Sequence, residues 1–290
     1  MTPFHSFNPP WLPPLALGIL GSVTTALAAP ESHWLFDPKP QDALREMSTD
    51  RPDKTESAYT VDAGHFQIES DLVTYTRDHD ESGGADTVAE GWVVGGFNLK
   101  AGLTDWMDIQ FVFEPFNHVT TEDRVARQRV IQNGIGDFTT RLKMNMWGND
   151  GGTTALALMP FATFPTSEEG LGTDKVEGGL IIPLAVELPW GWGMGIMPEV
   201  DIVADDTGDD HTVDFIHTIT FGHDIVGPLA GYIEFFSQVS AEGHYDWIGT
   251  VDLGLTYAVT ANVQLDAGVN IGVTDSAEDI NPFLGLSWRY

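Results

Sequence analysis

Residues 49–75 read TDRPDKTESAYTVDAGHFQIESDLVTY and contain the clearest periodicity in the chain. In the second half of this stretch, one face would hold Phe66, Ile68, Leu72 and Thr74, and the other His65, Gln67, Glu69, Asp71 and Tyr75. Because successive side chains of a strand point to opposite faces of a sheet, the pattern predicts a strand with one apolar and one polar face. The alternation lasts for roughly ten residues, the length with which a tilted strand crosses a bilayer.

Eleven further segments alternate in the same way, so the chain is predicted to form about twelve strands. In residues 105–116, for example, Met107 and Ile109 alternate with Asp108 and Gln110. The predicted strands are 61–77, 88–100, 105–116, 136–147, 154–164, 176–188, 192–203, 213–225, 229–239, 245–257, 263–273 and a last one that ends at Tyr290.

The connections between these segments alternate in length. Every second one is a short turn: AGLT, GNDGG, PWG, GP and VTAN. The others are longer and polar, such as residues 117–134 and TSEEGLGTDK, with AEGH as the one short exception. Outer-membrane barrels have short periplasmic turns and longer external loops. We therefore predict an all-β fold, a transmembrane antiparallel β-barrel of about 12 strands with its N- and C-termini periplasmic.

Composition excludes several other classes of protein. The chain carries 43 acidic against 13 basic residues, a net charge of −30, which argues against binding nucleic acid. Its hydrophobic content of 42% argues against disorder. It has no cysteine, so disulfides, thiolate metal sites and cysteine nucleophiles are excluded.

The N-terminus predicts export. Residues 1–28 contain an apolar run that ends with Ala26 and Ala28 at the −3 and −1 positions of a signal-peptidase site, so we interpret them as a signal peptide. A retained anchor is the alternative. Residues 29–48 show no period, and we expect a poorly ordered N-terminal tail. Residues 49–290 would form the barrel.

Four segments resemble a known family: TDRPDKTES followed by GHFQIE, GIGDFTTRLKMN, ALMPFATFPTS and the aromatic C-terminus. They are similar to segments of the outer-membrane transporter family linked to the meta-pathway of phenol degradation, and the resemblance spans residues 48–290. It implies a transporter barrel in the outer membrane of a Gram-negative bacterium, and it points to aromatic or hydrophobic solutes. The spacing of Gly285, Trp288 and Tyr290 also resembles the C-terminal sorting signal that the barrel-assembly machinery reads.

The polar faces of the predicted strands would line the lumen. The lumen and selectivity candidates are Glu69, Asp71, Asp108, Glu114, Asp137, Arg141, Lys143, Glu199, Asp201, Glu234, Asp252 and Asp266. Buried acids must be hydrated, paired or protonated. They could therefore line a water-filled path that favours cations or neutral polar solutes. Alternatively, their ion pairs could brace a plugged barrel, since a barrel of this size is narrow.

Residues 49–60 could fold into the lumen as a plug or gate, because Arg51 and Lys54 would meet these acids. The candidates for this role are Arg51, Asp53, Lys54 and Glu56. A solvated lead-in to the first strand is the alternative. In the loop around Gly208, the acids Asp205, Asp206, Asp209 and Asp210 lack EF-hand spacing, so we expect a solvated loop and assign no metal or cofactor.

These observations favour an outer-membrane channel for passive uptake of small molecules. A plugged structural or surface-interaction barrel without transport is the first alternative. An outer-membrane hydrolase is less favoured, because the sequence contains neither G-x-S-x-G nor H-E-x-x-H, and we expect no enzyme. The expected partners are outer-membrane lipid and lipopolysaccharide, the barrel-assembly machinery and small solutes. The sequence leaves the oligomeric state and the solute open.

Overall fold

The computed structural model describes residues 32–168, 170–205, 210–243 and 246–290. The predicted signal peptide and the loop acids Asp206 and Asp209 lie outside the described residues. The strands are β1 (Phe66–Asp80), β2 (Thr87–Val93), β3 (Gly96–Thr104), β4 (Met107–Phe113), β5 (Asn117–Asp123), β6 (Gln128–Gly134), β7 (Phe138–Trp147), β8 (Thr154–Phe164), β9 (Glu177–Ile181), β10 (Leu184–Glu187), β11 (Trp192–Ala204), β12 (His211–Val226), β13 (Leu229–Ser240), β14 (Ile248–Thr260), β15 (Val263–Gly272) and β16 (Ile280–Arg289). Short 3-10 turns cover Gln41–Ala43, Ser82–Gly84 and Pro189–Gly191. In these ranges no helix is long and apolar enough to cross a membrane.

The strands form one closed antiparallel barrel. Four of its twelve wall strands consist of two consecutive elements each: β2 with β3, β4 with β5, β6 with β7, and β9 with β10. The first and last strands, β1 and β16, pair from Gln67 opposite Arg289 to Arg77 opposite Ile280 and so close the wall. Closure leaves no sheet edge in the bilayer, where an unpaired edge has no water to bond with. The prediction of a 12-strand barrel is confirmed.

The two faces of the wall are the reverse of those of a soluble barrel. Large side chains of the outer face are exposed and apolar, among them Leu72, Val200, Ile202, Phe215, Leu253, Leu255, Leu265 and Leu284. The most deeply buried side chains of the interior are mostly polar or charged, among them Gln67, Asp108, Gln110, Lys143, Glu234 and Asp252. This polarity fits an outer face in lipid and an inner face that bonds to other polar groups.

Strand β1 departs from the predicted alternation at one place. Its register with β16 shifts around Leu72, so one extra residue is inserted there. As a result Thr74, and not Tyr75, lies on the same inner face as Asp71, to which its hydroxyl donates a hydrogen bond of 3.1 Å. Tyr75 packs instead against Trp92 with the ring centroids 4.6 Å apart. The expectation for Thr74 and Tyr75 was wrong, because a bulge inverts every side chain that follows it.

Residues 117–134, expected to be a long polar loop, are a β-hairpin. Strands β5 and β6 pair with each other, and β5 also pairs with β2, so the wall continues as a sheet beyond β4 and β7. The amphipathic pattern ends there, because a strand with solvent on its outer face needs no apolar side chains. We define the end of the barrel that holds this hairpin as the loop end, and the end that holds Phe66 and Tyr290 as the terminus end.

The described part of the N-terminal tail packs against the terminus end of the barrel. The Leu35 amide donates a hydrogen bond of 2.9 Å to the Leu103 carbonyl. Arg45 donates one of 2.7 Å from Nε to Asp62 Oδ1 and one of 3.0 Å from Nη1 to the Asp105 carbonyl. The expectation of a poorly ordered tail is therefore wrong for residues 32–48. Its polar groups bond to the barrel, and contacts of this kind leave no periodic pattern in the sequence.

Replacing Gly102 tests this packing. A Cβ at Gly102 would overlap the backbone carbonyl of Asp62, which cannot move without detaching the chain that crosses the terminus end. We expect Gly102→Ala to lower the free energy of unfolding by about 1–3 kcal/mol. Gly193→Ala is the matched control, since a Cβ there meets no atom within 4 Å. The measurement is urea unfolding of the refolded barrel in micelles, followed by tryptophan fluorescence. Equal midpoints for the two variants would contradict the prediction.

Candidate functional site

Residues 49–60, here called the inner segment, lie within the barrel. Their backbone and side chains bond to inner-face residues of strands on both sides of the lumen, including Glu69 on β1, Lys100 on β3 and Glu234 on β13. The Asp50 and Arg51 amides both donate to Glu69 Oε2, at 2.9 and 3.0 Å. The inner segment is therefore positioned by its backbone as well as by its charges.

The acids of the inner segment pair with one sector of the wall. The Asp50 carboxylate lies between Lys100 on β3, 2.5 Å away, and Lys143 on β7. Lys100 also contacts Glu69. Burial alone would raise the pKa of Asp50, but the two ammonium groups hold it well below its ordinary value. Further along, Glu56 accepts a hydrogen bond of 2.6 Å from Arg141.

The bases of the inner segment pair with the acidic sector of the wall. Arg51 lies 2.5 Å from Asp71 on β1 and 2.7 Å from Asp266 on β15. The Lys54 ammonium is 3.3 Å from Asp252 on β14 and 4.3 Å from the centre of the Phe236 ring. These contacts are charge-assisted and cation–π interactions, which gain strength where water is excluded.

The two sectors are opposite each other at β7 and β14, which lie six wall strands apart in the closed barrel of twelve. Elsewhere they adjoin, since β1, which holds Asp71, pairs with β3, which holds Lys100. The inner segment thus crosses the lumen with its acids toward a basic sector and its bases toward an acidic one. Thr55 adds a neutral contact, since its amide donates a hydrogen bond of 2.8 Å to Glu234 Oε1. These ion pairs with several wall strands fix both the position of the segment and its orientation.

A cavity lies on each side of the inner segment. The larger, of about 450 Å³, opens among the terminus-end residues of β10–β14, and the smaller, of about 210 Å³, lies toward the loop end between Arg51 and Phe283. Pro52 lines both cavities. Gly193 and Gly222 pair directly across β11 and β12 at the larger cavity, and neither would have an atom within 3.7 Å of an added Cβ. One residue of the inner segment therefore borders two spaces in the lumen.

Most of the predicted lumen residues meet at this segment. The residues that bond to it are Glu69, Asp71, Arg141, Lys143, Glu234, Asp252 and Asp266, and the predicted plug residues Arg51, Lys54 and Glu56 are their partners. Asp53 lines the larger cavity, and Glu114 the smaller. Asp108 accepts a hydrogen bond of 2.9 Å from the Val61 amide, directly after the segment.

The remaining predicted residues lie elsewhere. Asp137 accepts hydrogen bonds from the Thr166 and Ser167 amides at 2.9 Å, so it fixes the loop that follows β8. Glu199 and Asp201 lie on the inner face of β11 toward the loop end, where Asp201 pairs across the strands with Asp214. No group of three or more histidine or acidic side chains among the described residues is arranged to hold a metal ion.

Sequence reasoning missed the centre of the network. Lys100 lies in the predicted strand 88–100, yet it is not among the predicted lumen residues, whose only bases are Arg141 and Lys143. Asp50 was part of the motif TDRPDKTES without a role of its own. The alternation could have assigned Lys100 to the lumen. No pattern could have shown that Asp50 and Lys100 meet, because 50 residues separate them.

The Lys100 ammonium is the first contact to test. Lys100→Met leaves Glu69 buried without its ammonium partner, and breaking a buried pair on one side costs about 3–5 kcal/mol. We expect a loss of that size in the free energy of unfolding, measured in urea. Lys175→Met is the control, because the Lys175 ammonium lies at an exposed site and makes a long contact of 3.4 Å with the Asp210 carbonyl. A loss as small as that of the control would show that the network does not stabilise the barrel.

The ion pairs of Asp62 predict that the stability of the protein depends on pH. Burial alone would raise the pKa of Asp62, but Arg45 and Lys39 hold it below its ordinary value. The unfolded chain therefore binds this proton more tightly, so the stability from Asp62 is present at neutral pH and is lost as the pH falls below about 4. We expect the midpoint of urea unfolding to fall less steeply with acid in Asp62→Asn than in the unmodified protein. Asp150→Asn, which removes an exposed carboxylate 3.6 Å from the same Arg45, should leave the slope unchanged.

Solved structures share the barrel. An outer-membrane channel from Pseudomonas putida F1 superposes with a TM-score of 0.59 at 12% identity, over 84% of this chain and 100% of that one. The translocator domain of the autotransporter NalP from Neisseria meningitidis gives a TM-score of 0.53 at 9% identity, over 78% of this chain and 88% of that one. Such low identities show the fold, that of a bacterial outer-membrane β-barrel. No curated protein matches the sequence.

A family model shows the relationship at the level of sequence. The model described as the MetA-pathway of phenol degradation matches residues 49–290. This range begins at the first residue of the inner segment and ends at the last residue of the chain, so it includes the whole charge network and the barrel wall. The predicted resemblance is confirmed: the chain belongs to the family of the MetA-pathway of phenol degradation and has the fold of a bacterial outer-membrane β-barrel.

Proposed function

We propose that this protein is a passive channel of the bacterial outer membrane, in which the inner segment is the gate for small molecules. In this proposal the terminus end faces the periplasm and the loop end faces outward. The observation that carries the proposal is the position of Pro52, which lines both cavities. Displacing the turn Arg51–Asp53 would join the two cavities into one path.

The contacts of this turn are polar and unequal. Arg51 is held by Asp71, whose side chain is 36% exposed, and by Asp266, which is fully buried and accepts hydrogen bonds from two guanidinium nitrogens. Water can replace the contact with Asp71 at little cost. Leaving Asp266 buried without its partner would cost about 3–5 kcal/mol. In this proposal the turn is therefore closed at rest, and it opens when water enters and hydrates Asp266.

The larger cavity suits a small organic solute. Its volume of about 450 Å³ is within the range of known small-molecule sites. Pro52, Tyr59, Met194 and Tyr232 line it with apolar and aromatic surface. Together with the description of the family, this lining favours aromatic compounds as solutes. The proposed role is passage without chemistry, and we assign no reaction to the barrel.

A plugged barrel without transport is the second candidate. It is favoured by the depth of the Asp50 network, since Lys100 and Lys143 are among the least exposed side chains of the protein. The two candidates differ in which part of the inner segment moves. In the channel, Asp50 stays anchored and the Arg51–Asp53 turn opens, whereas in the plugged barrel neither part moves.

Two surfaces outside the lumen suit the expected partners. Three exposed arginines lie at the tip of the hairpin, Arg124 and Arg127 in the turn and Arg129 at the start of β6. We propose that they contact phosphate groups of lipopolysaccharide. At the other end, Trp288 and Tyr290 are exposed on the outer face of β16. We propose that these two residues, with Gly285, form the signal for the barrel-assembly machinery.

Removing the Arg51 side chain tests the proposed gate. Arg51→Ala removes both ion pairs of the turn, so we expect solute flux into liposomes to rise several-fold over that of the unmodified protein. The solutes are phenol, benzylamine and sugars of graded size. Arg77→Ala is the matched control, because Arg77 lies on β1 outside the inner segment. Heat-modifiable gel migration verifies that each barrel is folded.

A second substitution distinguishes a gate from a leak. Gly193→Phe in the Arg51→Ala background places an aromatic ring in the larger cavity, where an added side chain has space, and it should remove the added flux. If Arg51→Ala forms intact barrels but passes no solute, the channel proposal is wrong and the plugged barrel is favoured. If Gly193→Phe leaves the added flux unchanged, the path does not run through this cavity.

A further inference from the structure

Gly285 lies in a row of three residues on neighbouring strands. Its partners across the sheet are Asp71 on β1 and Asp266 on β15, each directly opposite it. Residues directly opposite each other on antiparallel strands point to the same face, which here is the lumen. Neighbouring strands lie about 4.8 Å apart, so a residue without a side chain separates two carboxylates at close range.

The guanidinium group of Arg51 occupies the space beside Gly285. Its Nε and Nη2 atoms donate hydrogen bonds of 3.2 and 2.7 Å to the two carboxylate oxygens of Asp266, and Nη1 donates one of 2.5 Å to Asp71. The Phe283 ring, two residues before Gly285 and therefore on the same face, has its centre 5.5 Å from Arg51 Cζ. Paired hydrogen bonds in one plane are the strong mode of recognition between arginine and a carboxylate.

Glycine is needed at position 285 to leave room for this arrangement. A Cβ there would overlap the Nη2, Nε and Cζ atoms of Arg51. The backbone itself does not require glycine, because Gly285 does not have a positive φ. Glycine weakens the interior of a strand, since it loses the most backbone freedom and has no side chain to pack. The guanidinium group that lies against Gly285 therefore explains why a glycine is found in this strand.

The geometry of the row favours a guanidinium over an ammonium group. A guanidinium directs several donors in one plane, and here they reach carboxylates on both sides of Gly285. An ammonium group is a compact point charge that cannot form this fork, so an equal charge does not give an equal fit. Asp71 and Phe283 also line the smaller cavity, through which a small cation can reach the row from the loop end.

We propose that Gly285 is a positioning residue of the gate, and that Asp71, Gly285 and Asp266 form a site selective for a guanidinium group. By leaving room for the Arg51 side chain, Gly285 sets the closed position of the turn that contains Pro52. This gating role rests on the proposed channel and names a residue that keeps it closed. Binding of a guanidinium group by the site does not require that the channel opens.

A binding experiment tests the site without any measurement of flux. Refolded full-length Arg51→Ala in micelles is titrated in a calorimeter with methylguanidine and with methylamine, which has the same charge. We expect methylguanidine to bind at least about tenfold more tightly, the worth of one added hydrogen bond to a charged group. Adding Gly285→Ala should remove this preference, because the new methyl group takes the same space. Gly91→Ala is the matched control, since a Cβ there meets only Thr76 Cβ at an ordinary 3.7 Å.

Solute flux into liposomes tests the gating role. Gly285→Ala alone should raise the flux several-fold, as Arg51→Ala does, and adding it to Arg51→Ala should raise the flux no further, because both substitutions act through one contact. Arg51→Lys keeps the charge and the glycine but loses the fork, so it should also raise the flux. Gly91→Ala should leave the flux unchanged. Refolded protein does not pass through the assembly machinery, so a role of Gly285 in the assembly signal does not affect these results.

The proposal is overturned if Arg51→Ala binds methylguanidine no better than methylamine, or if Gly285→Ala leaves the preference unchanged. It is also overturned if the effects of Arg51→Ala and Gly285→Ala on flux multiply in the double variant. Should Gly285→Ala fail to fold, as judged by heat-modifiable migration, the two cations in Arg51→Ala and the flux of Arg51→Lys decide. If methylguanidine binds as expected but Arg51→Ala passes no solute, the site is confirmed and the channel is wrong.

Discussion

The contact of Asp50 with Lys100 and Lys143 is the constraint on which the interior depends. Both lysines come from the barrel wall and are almost fully buried, so each needs an anion close by. The wall supplies Glu69 in contact with Lys100 and Asp108 across the strands from Lys143. The inner segment adds Asp50, which contacts both ammonium groups and so ties the segment to this part of the wall. A barrel interior cannot be closed by apolar packing while its wall presents buried ammonium groups.

The same physics explains why the segment crosses the lumen in one orientation. With a basic sector on one side and an acidic sector on the other, reversing the segment would place like charges together and cost free energy at both walls. The contacts are uneven, however. Asp50 lies between two buried lysines, whereas one of the two carboxylates that hold Arg51, Asp71, is partly open to water. Water can therefore reach the Arg51 turn more easily than the Asp50 contact.

The sequence predicted the wall better than the interior. Ten or more residues of alternation, repeated along the chain, sufficed for twelve strands, because a lipid-facing surface imposes its polarity on every second residue. The prediction from alternation failed at Leu72, because a bulge leaves no trace in the composition. It also failed at residues 117–134, because the amphipathic pattern ends in the part of the hairpin beyond the barrel wall. The lumen acids were identified for the same reason as the wall. Arg51 and Lys54 were predicted to meet these acids, but not which acid each base contacts, since Arg51 and Asp266 are 215 residues apart.

The sequence by itself determined that this chain forms a membrane barrel with a polar interior, since the alternation and the loop lengths are local and each strand carries them independently. Only the tertiary structure decided which charged residues of the interior form ion pairs with each other. Closing the wall brings β7 opposite β14, and that geometry turns a short charged motif into a bridge across the lumen. It also leaves Asp53 facing a cavity. Such pairings depend on distances across a closed lumen, and no linear pattern contains those distances.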